Sequence, residues 1–396
     1  MRRVLNVVAS VAALAICSRH QGGSASTPSG LDSLSAIDSL FQGLFPSDQP
    51  GAAVLILKDD EIIFDKGYGI ADIDTKVPID GNTFFNIASV SKQFTACAIL
   101  QLAEQGLLSL EDSVAMYYPE FSGNIWKRVK IKHLLSHCSG VPDARTGYTR
   151  EEKIKGDDAL SMEYMRDLDV LNFEPGTSYE YINPTFVLAG DIVSKVSGMP
   201  FTEYMREHIF KPAGMDSTLY FESALDGRIP HMAHGYEYED VTNMPEEHPA
   251  SLTPSEEPGD WYEYDYGEET FFATRPDGGI YTSTHEFVEW ERAIRSARVI
   301  SEESRELAQS PITKVTGSIY SDYQNRENTW YGMGWFIEPA TDSTSEVIYH
   351  TGDNGGFKIL AARYPESNVL LLIFANRSDW DRYAVMQEIE RDLEIL

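Results

Sequence analysis

The sequence has few cysteines and few basic residues for its length. Its 396 residues include three cysteines, and 32 Lys and Arg stand against 62 Asp and Glu, which gives a net charge of -30. Three cysteines are too few for a disulfide scaffold, and we expect Cys97 and Cys138 to be buried free thiols. The acidic balance argues against nucleic-acid binding and against adhesion to anionic membranes, because both require a basic face. We attribute most of this charge to solubility.

Several catalytic and cofactor motifs are absent. The chain has no Gly-x-Ser-x-Gly elbow, no Walker A loop, no dinucleotide-binding fingerprint and no His-Glu-x-x-His. His231 and His234 are spaced for one helix face but lack an evident third metal ligand. The sequence therefore predicts neither a metal nor a cofactor. Its hydrophobic content of 42% excludes disorder as the main state.

The first residues are typical of an export signal. Arg2 and Arg3 precede an apolar stretch over residues 4–17, which is short for a membrane span, and small residues follow at 22–26. We predict a signal over residues 1–25 and an exported protein, periplasmic or extracellular. The alternative is a lipoprotein anchored at Cys17, because residues 14–17 resemble a bacterial lipobox, although Ile16 departs from that pattern. No later segment is apolar enough to span a bilayer.

Strand-like runs lie near both ends of the chain, and helical patterns fill the middle. An amphipathic helix over 31–44 precedes a hairpin of two strands, 52–57 and 62–68, and three more strands at 347–350, 357–364 and 369–375 precede a helix over 379–393. Helical stretches are predicted at 90–105, 185–196 and 202–209. We therefore predict an α+β fold in which residues 31–110 and 276–396 form a sheet domain, with a mainly helical domain inserted over 111–275.

The segment 235–270 has a different composition from its surroundings. It contains no Lys or Arg, many acidic residues and several Tyr and Trp. Long loops of this kind are often lids or binding loops, and the alternative is a solvated acidic flap. As a hypothesis, this acidic aromatic loop borders the substrate cleft and disfavours anionic substrates.

The candidate nucleophile lies in Ser89-Val90-Ser91-Lys92, where Ser-x-x-Lys occurs once in the chain. On a helix, residues three apart share a face, so Lys92 can lie one turn from the Ser89 hydroxyl. Serine needs a base, and a lysine serves as one when burial or nearby positive charge lowers its pKa. The apolar helix that follows makes Lys92 costly for structure alone. Ser89 is therefore the predicted nucleophile and Lys92 its base.

A second candidate set is Tyr181-Ile182-Asn183. A tyrosine hydroxyl near a lysine can relay a proton to a leaving group, and an asparagine amide can hold a substrate amide. A second Tyr-x-Asn at residues 323–325 lies in a polar stretch, so we favour the first, which follows a turn and leads into an apolar helix.

The third set is His350-Thr351-Gly352 at a predicted strand end. A cationic His350 and the Thr351 hydroxyl suit a substrate carboxylate, and the backbone N–H of Asp353 can contribute to an oxyanion hole. The similar sequence at residues 145–147, which begins with Arg145, has no strand before it, and we set it aside.

These three motifs, in this order, resemble the signature of the serine β-lactamase and penicillin-binding protein superfamily, in its class C-like branch. That branch holds class C β-lactamases, D-Ala-D-Ala carboxypeptidases, D-aminopeptidases and β-lactamase-like esterases. Residues 134–140 are similar to its Leu-Leu-x-His-Thr-Ser-Gly, with Cys138 in place of threonine. Residues 278–284 resemble its Gly-Gly-x-x-Ser-Thr with one extra residue, and residues 331–335 resemble its Tyr-Gly-x-Gly-Trp. The resemblance covers about residues 52–375.

The resemblance implies a mostly antiparallel sheet flanked by helices, with the site in a cleft beside a helical domain. It implies that Ser89 is acylated, that Lys92 is its base partner, and that Tyr181 shuttles the proton. It also implies that the substrate is bound by Asn183, His350, Thr351 and Gly352. It implies further that the backbone N–H groups of Ser89 and Asp353 form the oxyanion hole.

His350 marks a departure from class C β-lactamases, which usually carry lysine there. We expect an exported serine hydrolase that cleaves D-amino-acid peptides or related amides. The alternatives are an esterase, a class C-like β-lactamase, and an inactive member that binds peptidoglycan or a partner. The complete set of Ser89, Lys92 and Tyr181 argues against the inactive reading. The expected partner is a small peptide, amide or ester, and the oligomeric state stays open.

Overall fold

The structure is a computed structural model that describes residues 30–149, 152, 156–220, 231–238, 261–263, 274–316 and 328–394. The predicted leader, most of the acidic aromatic loop and the second Tyr-x-Asn at 323–325 lie outside these residues. The predicted α+β fold is confirmed.

An eight-stranded antiparallel sheet forms the centre of the molecule, in the order β2-β1-β13-β12-β11-β10-β9-β8. Its strands are β1 Ala52–Lys58, β2 Glu61–Tyr68, β8 Thr313–Lys314, β9 Trp330–Tyr331, β10 Phe336–Glu338, β11 Val347–Asn354, β12 Phe357–Tyr364 and β13 Val369–Ala375. Strands from both ends of the chain thus pair in one sheet, since β1 lies between β2 and β13. The sequence predicted β11 to end at His350, but it continues to Asn354.

Two smaller sheets accompany the large one. The first has the order β3-β7-β4, and the second pairs β5, near the start of the acidic aromatic loop, with β6 inside it. Their strands are β3 Phe85–Asn86, β4 Leu219–Tyr220, β5 Tyr236–Tyr238, β6 Trp261–Glu263 and β7 Ile280–Thr282.

Helices cover both faces of the large sheet and fill the middle of the chain. They are α1 Gly30–Leu44, α2 Lys92–Glu104, α3 Ile131–Leu135, α4 Asp158–Arg166, α5 Pro184–Ser197, α6 Phe201–Tyr204, α7 Lys211–Ala213, α8 Arg275–Gly278, α9 Thr284–Arg295, α10 Glu302–Ala308 and α11 Arg382–Asp392. A π-helical stretch, Met205–Phe210, joins α6 to α7. The last helix begins at Arg382 rather than at the predicted 379, because the Asp381 side chain caps it by accepting the N–H groups of Tyr383 and Ala384.

The alternation of side chains along β1 explains the two hydrophobic cores. Ala52, Val54 and Ile56 face one core, which includes side chains of α1 and α11. Residues 53, 55 and 57 face the other core, which includes α2 and α9. Because both faces are covered, β1 is a nearly continuous apolar run rather than an alternating one. Asp59 and Asp60 both have positive φ, +52° and +67°, as a two-residue hairpin turn requires.

The prediction for two of the cysteines is confirmed, because Cys97 and Cys138 are buried free thiols. Within the described ranges, no helix is long and apolar enough to cross a membrane, and no three His, Cys, Asp or Glu side chains are grouped as metal ligands.

Candidate active site

Ser89 lies in a tight turn at the start of a buried helix. Strand β3 leads into a 3₁₀ turn, Ala88–Ser91, which runs directly into α2. Ala88 has a φ of +46°, a rare conformation for a residue with a Cβ, and its N–H donates to Asn86 Oδ1 at 2.8 Å. This geometry places the Ser89 backbone N–H at the positive end of α2 and leaves the Ser89 side chain half-buried at a pocket.

Lys92 is the first residue of α2 and is completely buried. Its Nζ lies 2.9 Å from Ser89 Oγ and donates to the backbone oxygen of Asp277 at 2.8 Å. Burial, opposed by the Asp277 charge and aided by the Arg145 charge, lowers the pKa of Lys92 to about 7. A large fraction of Lys92 is therefore neutral near pH 7, and a neutral amine can accept the proton of Ser89.

Tyr181 and Asn183 lie at the start of α5. The Lys92 Nζ lies 5.0 Å from the centre of the Tyr181 ring and 5.6 Å from that of Phe186. Asn183 precedes Pro184, the first residue of α5, and lines the same pocket as Ser89. Its buried Oδ1 accepts no hydrogen bond from the described residues. The structure thus brings the first two predicted motifs together.

Strand β11 approaches the nucleophile through Gly352. A Cβ at this position would lie 2.3 Å from the Ile87 backbone oxygen, so only glycine allows the strand to come this close. Strand β10 pairs with β11 only as far as Tyr349, while β12 pairs with it up to Asn354. Within the described residues, the ladder of β11 with β10 therefore ends before His350, and Gly352 lies directly against the residues that lead into the Ser89 turn.

His350 differs from the expected cation. It is fully buried, its Nδ1 lies 2.7 Å from the Thr351 backbone oxygen, and its Nε2 lies 2.9 Å from the Tyr331 hydroxyl. A carbonyl oxygen only accepts, so Nδ1 carries the proton and Nε2 accepts from Tyr331. Burial and the nearby Lys92 lower the pKa of His350 to about 3. The expectation of a cationic His350 is therefore wrong, because both nitrogens are occupied inside the protein.

Asp353 lies at the pocket with its carboxylate turned to a neighbouring helix. Its Oδ1 bonds Arg382 on α11, and the other guanidinium nitrogen, Nη1, donates to the backbone oxygens of Gly352 and Ile359 at 3.2 and 2.8 Å. The ion pair with Arg382 offsets the negative charge of the Asp353 carboxylate.

Another histidine, His137, lies near Lys92 and His350. It is fully buried, its ring centre lies 4.1 Å from that of Tyr181, and its Nδ1 accepts the Ile182 N–H at 3.3 Å. Burial, and then Lys92 and His350, hold the pKa of His137 well below its ordinary value. We refer to Lys92, His137 and His350 as the basic floor. All three are groups that carry charge readily in water and that burial drives toward neutrality.

The pocket itself is polar. It is lined by Ala88, Ser89, Arg145, Asn183, Thr274, Asp277, Gly278, Asp353 and Asn354. Arg145, Asp277 and Asn354 had no role in the sequence interpretation. Arg145 was set aside in the sequence because no strand precedes it. In the structure it lies in a 3₁₀ turn, Ala144–Gly147. Tertiary packing brings this turn to the pocket.

Comparison with known proteins identifies the family of the chain. A profile of the beta-lactamase family matches residues 37–394. Penicillin-binding protein 4* of Bacillus subtilis (strain 168) is 29% identical over 369 residues, 90% of this chain and 75% of that protein. Protein flp of Staphylococcus aureus (strain MW2) is 27% identical over 351 residues, 87% of this chain and 63% of that protein, so the chain spans less than two thirds of this relative's length.

Among solved structures, D-amino acid amidase from Ochrobactrum anthropi SV3, complexed with L-phenylalanine, is 22% identical, with a TM-score of 0.73. The match covers 91% of this chain and 98% of that one, and at this identity it shows the fold. The family profile, in contrast, extends over most of the sequence. The chain therefore belongs to the beta-lactamase family, within the superfamily of serine β-lactamases and penicillin-binding proteins.

Proposed function

We propose that the protein is an exported serine hydrolase that cleaves D-amino-acid peptides or related amides through an acyl-enzyme on Ser89. One observation carries the proposal: the amine of a fully buried lysine lies 2.9 Å from the serine hydroxyl, at the start of a helix and at the edge of a polar pocket. A lysine is costly in such a place unless its neutral form is useful.

In the first step, neutral Lys92 takes the proton of the Ser89 hydroxyl as Oγ bonds to the substrate carbonyl carbon. The backbone N–H groups of Ser89 and Asp353 stabilise the negative charge that develops on the carbonyl oxygen. The bond to the leaving amine then breaks, and the amine departs with a proton passed by Lys92 and Tyr181. Water hydrolyses the ester on Ser89 with the same groups acting in reverse.

Substrate positioning is assigned to the groups around the nucleophile. The Asn183 side chain contacts the substrate amide, and β11 at Thr351 and Gly352 docks the substrate backbone. The buried His350 acts by holding this part of β11 in place through Thr351 and Tyr331 rather than by direct charge. Esters and β-lactams are the alternative substrates.

The remaining parts of the proposal concern the organisation of the chain. Residues 1–25 direct export, residues 31–110 and 276–396 form the sheet domain, and residues 111–275 form the inserted, mainly helical domain. A lipid anchor at Cys17 is the alternative to plain cleavage of the signal.

The proposal is tested by covalent labelling. The protein is incubated with a penicillin or an activated ester, and its intact mass is measured. We expect one adduct on the wild type and none on Ser89→Ala. Ser91→Ala is the matched control, because Ser91 lies in the same turn but is fully buried and accepts the Ile280 N–H at 3.2 Å.

The Ser91→Ala protein should still label. If the wild type acquires no adduct from either reagent, or if Ser89→Ala labels equally, the acyl-enzyme mechanism is wrong. Turnover of a D-alanyl-D-alanine peptide, a short acyl ester and a cephalosporin then ranks the substrate classes, and we expect the peptide to be cleaved with the highest kcat/KM.

A further inference from the structure

We propose that Arg382 is a positioning residue of the oxyanion hole. By holding and polarising the peptide that joins Gly352 to Asp353, it directs the Asp353 N–H and makes it a stronger donor to the developing oxyanion. The inference rests on the proposed function, because it concerns the same acyl transfer to Ser89. It begins from an arginine whose burial and place in the chain are both unfavourable.

Arg382 is the first residue of α11 and is only 3% exposed. Burial of a guanidinium is costly unless the group is paired and hydrogen-bonded. The first turn of a helix also lies at the positive end of the helix dipole, which disfavours a cation. Both costs apply to Arg382, so packing alone gives no reason for a charged side chain at this position.

The Arg382 guanidinium reaches from α11 to the strands β11 and β12. Its Nη1 donates to the backbone oxygens of Gly352 at 3.2 Å and of Ile359 at 2.8 Å, and these two residues are partners in the antiparallel ladder. Its Nη2 donates to Asp353 Oδ1. Arg382 thus bonds the residues on both sides of one peptide bond, through the Gly352 carbonyl and the Asp353 side chain.

The planarity of this peptide links the contact to the oxyanion hole. In a trans peptide the C=O and N–H groups lie in one plane and point in opposite directions, and the described residues contain no cis peptide bond. Because the Gly352 carbonyl is held toward Arg382, the Asp353 N–H is held on the side away from it. Asp353 and Ser89 line the same pocket. Arg382 therefore determines the direction of the N–H that we assign to the oxyanion hole.

A cation at the carbonyl also strengthens the N–H of the same peptide. Peptide resonance places negative charge on the oxygen and positive charge on the N–H, and a positive group beside the oxygen favours this charge-separated form. Hydrogen bonds in such a chain polarise one another, and they do so more strongly in a site of low dielectric constant. Since Arg382 is buried, water screens its charge little. The Asp353 N–H is therefore a stronger donor than an ordinary amide.

The alternative role of Arg382 is to neutralise the Asp353 carboxylate alone. The Asp353 side chain is half-exposed, so water already stabilises its charge. Neutralisation also gives no reason for the two hydrogen bonds that Nη1 donates to backbone oxygens. The two roles predict different behaviour of a variant that lacks the carboxylate.

The experiment measures the acylation of Ser89 by p-nitrophenyl acetate, from the burst of p-nitrophenolate in a stopped-flow instrument. We expect Arg382→Met to lower the acylation rate constant by about 10- to 100-fold, since complete loss of one oxyanion donor costs roughly 10²- to 10³-fold.

Arg377→Met is the matched control. Arg377 is also a buried arginine that is paired with an aspartate, Asp379, and donates to a backbone oxygen, that of Pro50, at 3.0 Å. None of its partners among the described residues lines the Ser89 pocket. Arg377→Met should therefore keep the wild-type rate constant.

A second reagent tests the oxyanion hole itself. It is the analogue of p-nitrophenyl acetate with sulfur in place of the carbonyl oxygen, and sulfur is a weak hydrogen-bond acceptor. We expect the wild type to react faster with the oxygen ester, and Arg382→Met should reduce this preference by about tenfold. A general disturbance of the fold would instead slow both reagents by the same factor.

The double variant Arg382→Met/Asp353→Asn separates positioning from neutralisation. Position 353 keeps its backbone N–H, but no carboxylate is left to neutralise, so we expect the double variant to stay as slow as Arg382→Met. Thermal unfolding gives the folded fraction of each variant, and rate constants are expressed per folded molecule. If Arg382→Met does not fold, Arg382→Gln, which is shorter and uncharged, replaces it with the same expected direction.

Three results overturn the inference: acylation of Arg382→Met at the wild-type rate, an unchanged preference for the oxygen ester, or recovery of the wild-type rate in the double variant. Absence of any acyl-enzyme on the wild type overturns the proposed function instead. The two failures are distinguishable, because the first three results require a wild type that is acylated.

Discussion

Two sets of buried polar groups near Ser89 differ in their chemistry: the basic floor and a second set, Asn183, Asp277 and Asn354, which we call the acceptor wall. The floor has three basic side chains, Lys92, His137 and His350, each fully buried and each with a lowered pKa. The wall has three side-chain oxygens without donors from the described residues. The floor thus suppresses positive charge close to the nucleophile, whereas the wall holds unpartnered acceptors in residues that line the Ser89 pocket.

The difference shows how burial can serve two purposes at one site. In the floor, desolvation keeps an amine in its neutral, proton-accepting form. In the wall, desolvation makes an unpartnered oxygen costly, because no donor from the described residues replaces its lost hydration. Each arrangement costs stability in the free protein, because a buried polar group is stabilised only when it is paired. The comparison therefore predicts that substitutions in the floor separate activity from stability.

Lys92→Met should have the largest effect. Loss of the base is expected to lower kcat/KM by about 10³-fold. The same change should stabilise the fold at pH 7 by about 1–2 kcal/mol, because an apolar side chain of similar length replaces a desolvated amine. Urea unfolding measures the second effect. Lys314→Met, at an exposed residue of β8, is the control and should change stability by less than about 0.5 kcal/mol.

The stabilisation by Lys92→Met should also depend on pH. The pKa of Lys92 is about 7 in the folded protein and near 10.5 when exposed, so the unfolded chain binds more protons between these values and the wild type gains stability as the pH rises. The advantage of Lys92→Met should therefore shrink from pH 7 to pH 10. A variant that unfolds more easily than the wild type at pH 7 would contradict this account of the floor.

The next largest effect is expected in the pH dependence of kcat/KM of the wild type. If neutral Lys92 is the base, kcat/KM should fall about tenfold per pH unit below pH 7 and become level above it. His350 has a pKa of about 3 and contributes nothing to this limb. A pH series of initial rates between pH 5 and 9 measures the profile.

Asp158 provides the control for this assignment. Partial burial and the Asp277 carboxylate raise the pKa of Asp158 to about 7, so it titrates in the same range as Lys92. In Asp158→Asn the acidic limb should persist with its midpoint near pH 7. If the limb disappears in that variant, the profile reports Asp158 rather than the lysine.

Much of the fold and the motif residues of the site could be predicted from local patterns. The β1–β2 hairpin and β13 were recognised because apolar runs and a polar turn are short-range signals. Ser89 and Lys92 were linked because a spacing of three on a helix brings them together. The close approach of Gly352 to the Ile87 backbone oxygen, 265 residues away in the sequence, becomes visible only in the structure.

The residues that were missed depend on such long-range contacts. Asp277 reaches the site through a bond to Lys92 across 185 positions, which no local pattern indicates. A histidine at a strand end has the same local sequence whether it faces solvent or the core, so the burial of His350 could not be read from its motif. The domain division and the leader stay predictions. Limited proteolysis tests the first, and the N-terminal sequence of the protein isolated from its cells tests the second.

The smallest expected effect tests whether His350 is held as a neutral group. The Tyr331 hydroxyl donates to His350 Nε2, so Tyr331→Phe leaves a buried acceptor without its donor and should cost about 1–2 kcal/mol in urea unfolding. Tyr238→Phe, at a half-exposed residue of β5, should cost less than about 0.5 kcal/mol. In a His350→Leu background, Tyr331→Phe should cost less, because the acceptor is gone.

The same neutral state predicts that KM for a substrate with a carboxylate is flat between pH 5 and 8, because His350 has no charge to lose in that range. A KM that rises severalfold above pH 6.5, together with no stability loss in Tyr331→Phe, would instead mean that His350 is a cation facing the substrate. His350 would then belong with the groups that bind the substrate rather than with the buried base Lys92. The contrast between the basic floor and the acceptor wall would no longer hold.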